Sequence, residues 1–224
     1  MWAPRSKKTL AIVLVAMAVT LIAALVTLAH IARDRSDVVR VHHPADLVGV
    51  LLPEPKTLDD FELTDHQGGV FNLARLRGQW SILFFGYTHC PDVCPMAMGF
   101  LGEVFSRLGD NPFGTTKIQG IFISVDPKRD TPELLKGYVA FFNPGFLGVT
   151  GKEAVLKGLT HQVGAYYATN QGGSADAYEI THSSAFFLIA PTGKLVGIIS
   201  PNNTPPEMAA EKIKRIVNYM GGAK

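Results

Sequence analysis

The sequence predicts an α/β domain, a mixed sheet flanked by helices, carried behind one N-terminal apolar helix long enough to cross a membrane. Three observations predict it. Two short, almost wholly apolar runs, at 80–86 and 118–125, have the composition of strands buried on both faces. Segments with helical period and helix-start residues fall between and after them. Residues 10–29 are twenty consecutive residues without a charge.

At helical rise those twenty residues span about 30 Å, the thickness of a bilayer core. A cleaved secretory signal has a shorter apolar stretch. Here the run continues past Ala23 and Ala24, small residues that mimic a cleavage site, as far as Ala29. An uncleaved anchor is therefore expected. Arg5, Lys7 and Lys8 precede it, and Arg33, Arg35 and Arg40 follow it, so basic residues tie across the span. The short tail 1–9 is read as cytoplasmic and the bulk of the chain as exported, to the periplasm of a bacterium or the intermembrane space of a mitochondrion. Residues 30–52, with His42-His43-Pro44, read as a linker; its histidine pair reads as solvated rather than as an auxiliary metal site. The folded domain is expected over 53–224.

Within it, the alternation at 61–65, the turn His66-Gln67-Gly68-Gly69 and the apolar 70–73 read as a β-hairpin, with His66 exposed in the turn. The buried strand 80–86 comes next. Pro95 opens a helix to about Leu108, since proline suits a first helical turn. After strand 118–125, Thr131 as N-cap and Pro132 in the first turn start a helix to about Phe142. A further helix is expected over 152–168, with Val155, Leu159, Val163 and Tyr166 as its apolar face and His161 outside it. Residues 183–190 and 195–200 read as strands joined by the turn Pro191-Thr192-Gly193-Lys194. The last helix follows Thr204-Pro205-Pro206, buries Ala209, Ile213, Ile216, Val217 and Met220, and ends at Gly221. That order of elements is compatible with a thioredoxin-like fold.

Composition narrows the function. Hydrophobic residues make up 47% of the 224 residues and charged residues 18%, which fits a folded domain. Residues 51–224 carry 15 Lys/Arg and 16 Asp/Glu, a net −1, so the domain has no basic footprint for nucleic acid. The chain has two cysteines, Cys90 and Cys94, too few and too close for a disulfide framework.

The loop Gly86-Tyr87-Thr88-His89-Cys90-Pro91-Asp92-Val93-Cys94-Pro95 joins a buried strand to a helix N-terminus, where backbone N–H groups favour negative charge. Both thiols are expected to ionise more readily than free cysteine. Residues i and i+4 share a helix face, so the two sulfurs can pinch one ion or close a disulfide. Two thiolates are soft ligands that select Cu(I) or zinc; zinc asks for four ligands, whereas Cu(I) accepts three, and Cu(II) tolerates S/N donors. The same pair also suits thiol–disulfide exchange. A CxxxC alone is weak evidence; its place after a buried strand, with Pro91 and Pro95 each following a cysteine, strengthens it.

Three blocks carry a family resemblance. Phe85-Gly86-Tyr87-Thr88-His89-Cys90-Pro91-Asp92-Val93-Cys94-Pro95 resembles the signature of the Sco/SenC copper chaperones for cytochrome c oxidase. Ser124-Val125-Asp126-Pro127-Lys128-Arg129-Asp130-Thr131-Pro132-Glu133 resembles that family's second block. Tyr178-Glu179-Ile180-Thr181-His182-Ser183 resembles the third, although Thr181 stands where the family commonly has Asp. The resemblance, from about Pro53 to the C-terminus, implies that Cys90, Cys94 and His182 bind one copper ion per chain. It implies a role in delivering copper, received from an upstream donor, to the copper-site subunit of the oxidase. By sequence alone, His182 reads as a hydrogen-bonded histidine before a strand; the resemblance makes it a ligand. His89 is expected to point away, Asp126 to cap a turn, and Met96 and Met98 to pack the helix rather than donate sulfur. The alternative activity is a thiol–disulfide oxidoreductase that keeps oxidase cysteines reduced. CxxxC instead of CxxC, and no Pro between Pro144 and Pro191, count against a general thioredoxin. A purely structural disulfide ranks last, because closing so short a loop constrains little.

Overall fold

The computed structural model describes residues 7–36, 44–109, 112–170 and 178–221. The histidine pair His42-His43 and the tail residues 1–6 lie outside the described residues. The chain divides into two units, the first ending at His42. The described part of the first is one helix, α1 (Lys7–Ser36), whose segment Leu10–His30 is apolar enough, and at 21 residues long enough, to cross a membrane.

The second unit holds ten strands and five helices among its described residues: β1 (Leu51–Thr57), β2 (Glu62–Asp65), β3 (Val70–Asn72), the single turn α2 (Leu73–Leu76), β4 (Trp80–Gly86), α3 (Val93–Leu108), β5 (Ile118–Ser124), α4 (Pro132–Phe142), β6 (Leu147–Thr150), α5 (Glu153–Val163), β7 (Tyr167–Asn170), β8 (Glu179–His182), β9 (Phe186–Ile189), β10 (Lys194–Ile199) and α6 (Pro206–Gly221). Eight strands form one mixed sheet in the order β1-β10-β9-β4-β5-β6-β2-β3; β7 and β8 form a separate two-stranded ribbon.

β4 and β5 are central, which is why both sequences are apolar on both faces. Every residue of β4 is buried, and its one hydroxyl, Ser81, accepts a hydrogen bond from Gln119 Nε2 at 2.9 Å. The two strands run parallel with Gly86 opposite Ser124, so they end at the same level. The loops that follow them therefore leave the sheet side by side, the edge at which open α/β sheets place ligands. β9 runs antiparallel to β4 with Phe186 opposite Phe84, so the chain entering β9 arrives at that same edge. Phe84, Phe122 and Phe186 are buried beneath it, each worth about 1.5–3 kcal/mol of apolar burial.

The helix signals resolve as physics requires. Thr131 caps α4 by accepting from Leu134 N at 3.3 Å, with Pro132 in the first turn. α3 begins two residues before Pro95 and buries Cys94, Ala97, Met98, Leu101, Val104 and Leu108, so Cys94 opens the stripe that faces the core. α5 stops earlier than its sequence implied. Gly164 takes the left-handed conformation (φ +79°) at its C-terminus, and β7 follows. The buried face is Leu156, Leu159, Thr160 and Val163; Tyr166 is exposed and Val155 only half-buried. His66 is half-buried rather than exposed, its Nδ1 accepting from Gly148 N at 2.9 Å. Strands β1, β6, β7 and β8 are additions to the expected set, and Leu47 and Val50 are already part of the core.

Candidate metal centre

Two loops and the ribbon meet at the common end of β4 and β5. The first loop carries Cys90 and leads into α3, placing Cys94 in its first turn. The second, after β5, carries Asp126, Arg129 and Asp130. The ribbon carries His182 at the end of β8, paired with Tyr167 of β7. The structure thus brings together three side chains that are 88 or more residues apart on one side. His182 Nε2 lies 3.0 Å from Cys94 Sγ and 4.0 Å from Cys90 Sγ. The three ligand atoms lie within 4.8 Å of one another, the span one ion bridges. Both cysteines are free thiols; Cys94 is buried and Cys90 partly exposed.

Each is held for a reason. Gly86 lets the sulfur approach: a Cβ built there would lie 2.7 Å from Cys94 Sγ and 2.9 Å from Phe122 Cε2. Cys90 Sγ accepts from Cys94 N at 3.4 Å, using a donor that a helix start leaves free. His182 Nδ1 lies 3.0 Å from the Ser183 carbonyl, the contact that keeps the proton on Nδ1 and leaves the Nε2 lone pair toward the sulfurs. The ring is flanked by Phe84 and Tyr87 at 5.9 and 6.0 Å between centroids, both edge-on.

For Cys94 the electrostatics run against the expectation of a readily ionised thiol. Burial pushes the Cys94 thiol up, with the neighbouring Cys90 adding to it and the hydrogen bond from the Tyr87 backbone opposing. The reason is position: Cys94 opens the core-facing stripe of α3, and desolvation there outweighs the helix N-terminus. Burial also lowers the His182 imidazole, against the opposing Ser183 and Phe85 carbonyls, which favours the neutral form that binds metals. A soft cation between the three would remove the charge penalty of a buried thiolate.

Around the three lies a polar network that the sequence did not disclose. Asp130, 1% exposed, accepts from Thr88 N (2.9 Å), Thr88 Oγ1 (2.6 Å) and Ser124 Oγ (2.5 Å), tying the cysteine loop to β5. Asp126 does not cap its turn with its side chain. Its buried carboxylate takes the Arg129 Nε donor and the Tyr178 hydroxyl, the latter at 2.6 Å. The Tyr178 phenol is pushed up to about 12, first by burial and then by Asp126. His89 points away from the sulfurs, half exposed, toward Thr88 Oγ1 and Asp130. Met98 is core; Met96 is exposed. Thr181 is exposed and accepts from Asn170 Nδ2 at 3.0 Å, leaving the imidazole without a carboxylate at that position. The signal for the network was the run of Asp, Arg, Asp and Thr after a buried strand, but its partner Tyr178 lies 52 residues beyond Asp126.

Cys90 and His182 line an open cleft of about 270 Å³ together with Tyr87, Asp92, Glu179 and Ile180, so the centre is reachable from solvent on the Cys90 side.

The SCO1/SenC family model matches residues 51–218. The "SCO2-like protein" of Rickettsia felis is 39% identical over 150 residues, covering 66% of this chain and 72% of that protein. Among solved structures, ScoI of Bradyrhizobium japonicum with copper bound is similar at a TM-score of 0.63 and 34% identity, over 71% of this chain and 98% of that one. Yeast Sco1 with copper bound is similar at 0.66 and 31%, over 73% and 90%. The fold is thioredoxin-like, as the order of elements predicts.

Proposed function

Because the chain belongs to the SCO1/SenC family, we propose that it is a copper metallochaperone, anchored in a membrane by Leu10–His30, with Cys90, Cys94 and His182 as the ligands of one copper ion. The observation that carries the reading is the imidazole nitrogen 3.0 Å from the buried sulfur. Two sulfurs and one nitrogen, with no fourth His, Cys, Asp or Glu in the group among the described residues, suit three-coordinate Cu(I) better than four-coordinate zinc. The copper-bound relatives support the metal. The family resemblance supports the destination, the copper-site subunit of cytochrome c oxidase, supplied by an upstream donor. The short N-terminal tail is cytoplasmic and the globular unit exported, at the membrane face where such a subunit exposes its copper site. Copper passes by ligand exchange: a partner's thiolate or imidazole enters through the cleft as this chain's ligands leave in turn.

The test is copper titration of the reduced full-length chain in detergent. One copper per chain is expected, with Cys90→Ala, Cys94→Ala and His182→Ala each weakening binding strongly. Unchanged affinity in all three rejects the proposal. The partly exposed Cys90 also favours a second reading, a dithiol reductase for the cysteines of the oxidase site. That chemistry does not need the imidazole. Full function in cells of His182→Ala, alongside loss in both cysteine variants, would select it.

A further inference from the structure

We propose that Asp126, Arg129 and Tyr178 form a latch that fixes the His182 ribbon over the two sulfurs, so that these positioning residues decide whether the third ligand is in place. This rests on the ligand set proposed above.

The need for a latch follows from topology. Among the described residues, β8 is not hydrogen-bonded into the eight-stranded sheet and its one strand partner is β7. A lone two-stranded ribbon is marginal in water. The cysteines, in contrast, sit in the loop that leaves the fully buried strand β4 and in the first turn of α3, whose apolar stripe faces the core. Something beyond strand pairing has to set the imidazole against them.

The latch supplies it. Arg129 Nη1 donates to the Tyr178 carbonyl at 3.2 Å, at the residue just before the ribbon's return strand β8. Its guanidinium lies 3.8 Å from the centre of the Tyr178 ring and 5.6 Å from that of Tyr87. Asp126 accepts from both Arg129 Nε and the Tyr178 hydroxyl, closing a three-membered circuit around a carboxylate that is 2% exposed. Tyr87 continues the grip: its hydroxyl accepts from Ile180 N at 3.3 Å, and its ring edge abuts His182. Both acids belong to one short loop. Asp130 holds the cysteine loop through Thr88, and Asp126, four residues earlier, holds the histidine ribbon through Tyr178. A single segment therefore registers the two halves of the centre against each other.

Two variants of the full chain in detergent test this. Tyr178→Phe removes one hydroxyl and keeps the ring under the guanidinium; Arg129→Gln removes the donor to the Tyr178 carbonyl. Losing one hydrogen bond to a charged group corresponds to about tenfold in an equilibrium. In the metal-free protein, deuterium exchange of peptides covering 178–183 should quicken by about that factor, while peptides covering 80–86 and 118–124 stay unchanged. Copper should bind about tenfold more weakly, because the competent state is less populated. The Cu(II) form should lose nitrogen coupling in its spin-resonance spectrum while keeping its thiolate charge-transfer absorption. Unaltered exchange at 178–183 overturns the latch. Faster exchange with unaltered copper affinity and nitrogen coupling overturns its positioning role. Should Arg129→Gln unfold, Tyr178→Phe decides by the same criteria. A wild-type chain that takes no copper overturns the proposed function, and the positioning role with it, whatever the exchange data show.

Discussion

Replacing Gly86 by alanine tests whether the position of the Cys94 sulfur is set by the end of β4. The added Cβ would sit 2.7 Å from Sγ and 2.9 Å from Phe122 Cε2, both fully buried. Ordinary contact between such atoms needs about 3.5–4.0 Å, so both neighbours must give, and together with the β4 backbone they must open the gap by roughly 1 Å. Phe122 belongs to the central strand β5 and is itself packed against Phe84 and Tyr138. The sulfur, at the start of a helix beside a cleft, is the freer of the two. Overpacking of this kind costs about 1–3 kcal/mol. For a body of this size each kcal/mol lowers Tm by about 2–4 °C. A displaced sulfur also loses its setting against His182 Nε2, now at 3.0 Å. Copper affinity, measured by competition with a chelator, should fall by more than tenfold, and the metal-free protein should melt several degrees lower in calorimetry. A Gly86→Ala protein that melts lower but binds copper with wild-type affinity refutes the link between backbone approach and sulfur placement. One that is unchanged in both refutes the packing argument itself.

Two further outcomes are expected. Asp130→Asn weakens three hydrogen bonds from Thr88 and Ser124 to a buried carboxylate; it should destabilise the metal-free chain by about 3 kcal/mol in denaturant unfolding, and a loss under 1 kcal/mol would contradict the assigned role. Burial holds the His182 imidazole below its ordinary value of 6.5, so the unfolded chain takes up the proton first. Its contribution is complete above that value, declines as pH falls through it and levels off below the folded-state pKa. His182→Gln should therefore show a flatter loss of stability on acidification than wild type, and superimposable pH profiles would exclude the effect.

What could be read from the sequence was what neighbours in the chain decide. The central strands announce themselves because both faces are buried, leaving no polar alternation in 80–86. Helix starts at Thr131-Pro132 and near Pro95 are local chemistry. β1 carries no strand signal because an exposed edge strand with Pro53 and Pro55 looks like a linker; five of its seven residues are exposed. The sequence makes α5 look longer than it is because Tyr166 continues the helical period, whereas Gly164 already breaks the backbone. The sulfur pair was legible, being four residues apart. His182 was identified through the resemblance rather than through its neighbours, since an imidazole before a strand carries no mark of what it will face. The circuit of Asp126, Arg129 and Tyr178 was not legible at all: it is made by two segments that meet only after the sheet has formed.

The two sulfurs differ in access, and that asymmetry sets a sequence of events on the proposed reading. Cys94 has no solvent-exposed surface, whereas Cys90 forms part of the cleft wall. An incoming donor atom meets the ion from the Cys90 side, so Cys90 and the ribbon's imidazole are the bonds traded early. Cys94 is the last to let go on unloading and the deepest to be reached on loading, which gives cargo transfer a fixed order of ligand exchange through a one-sided door.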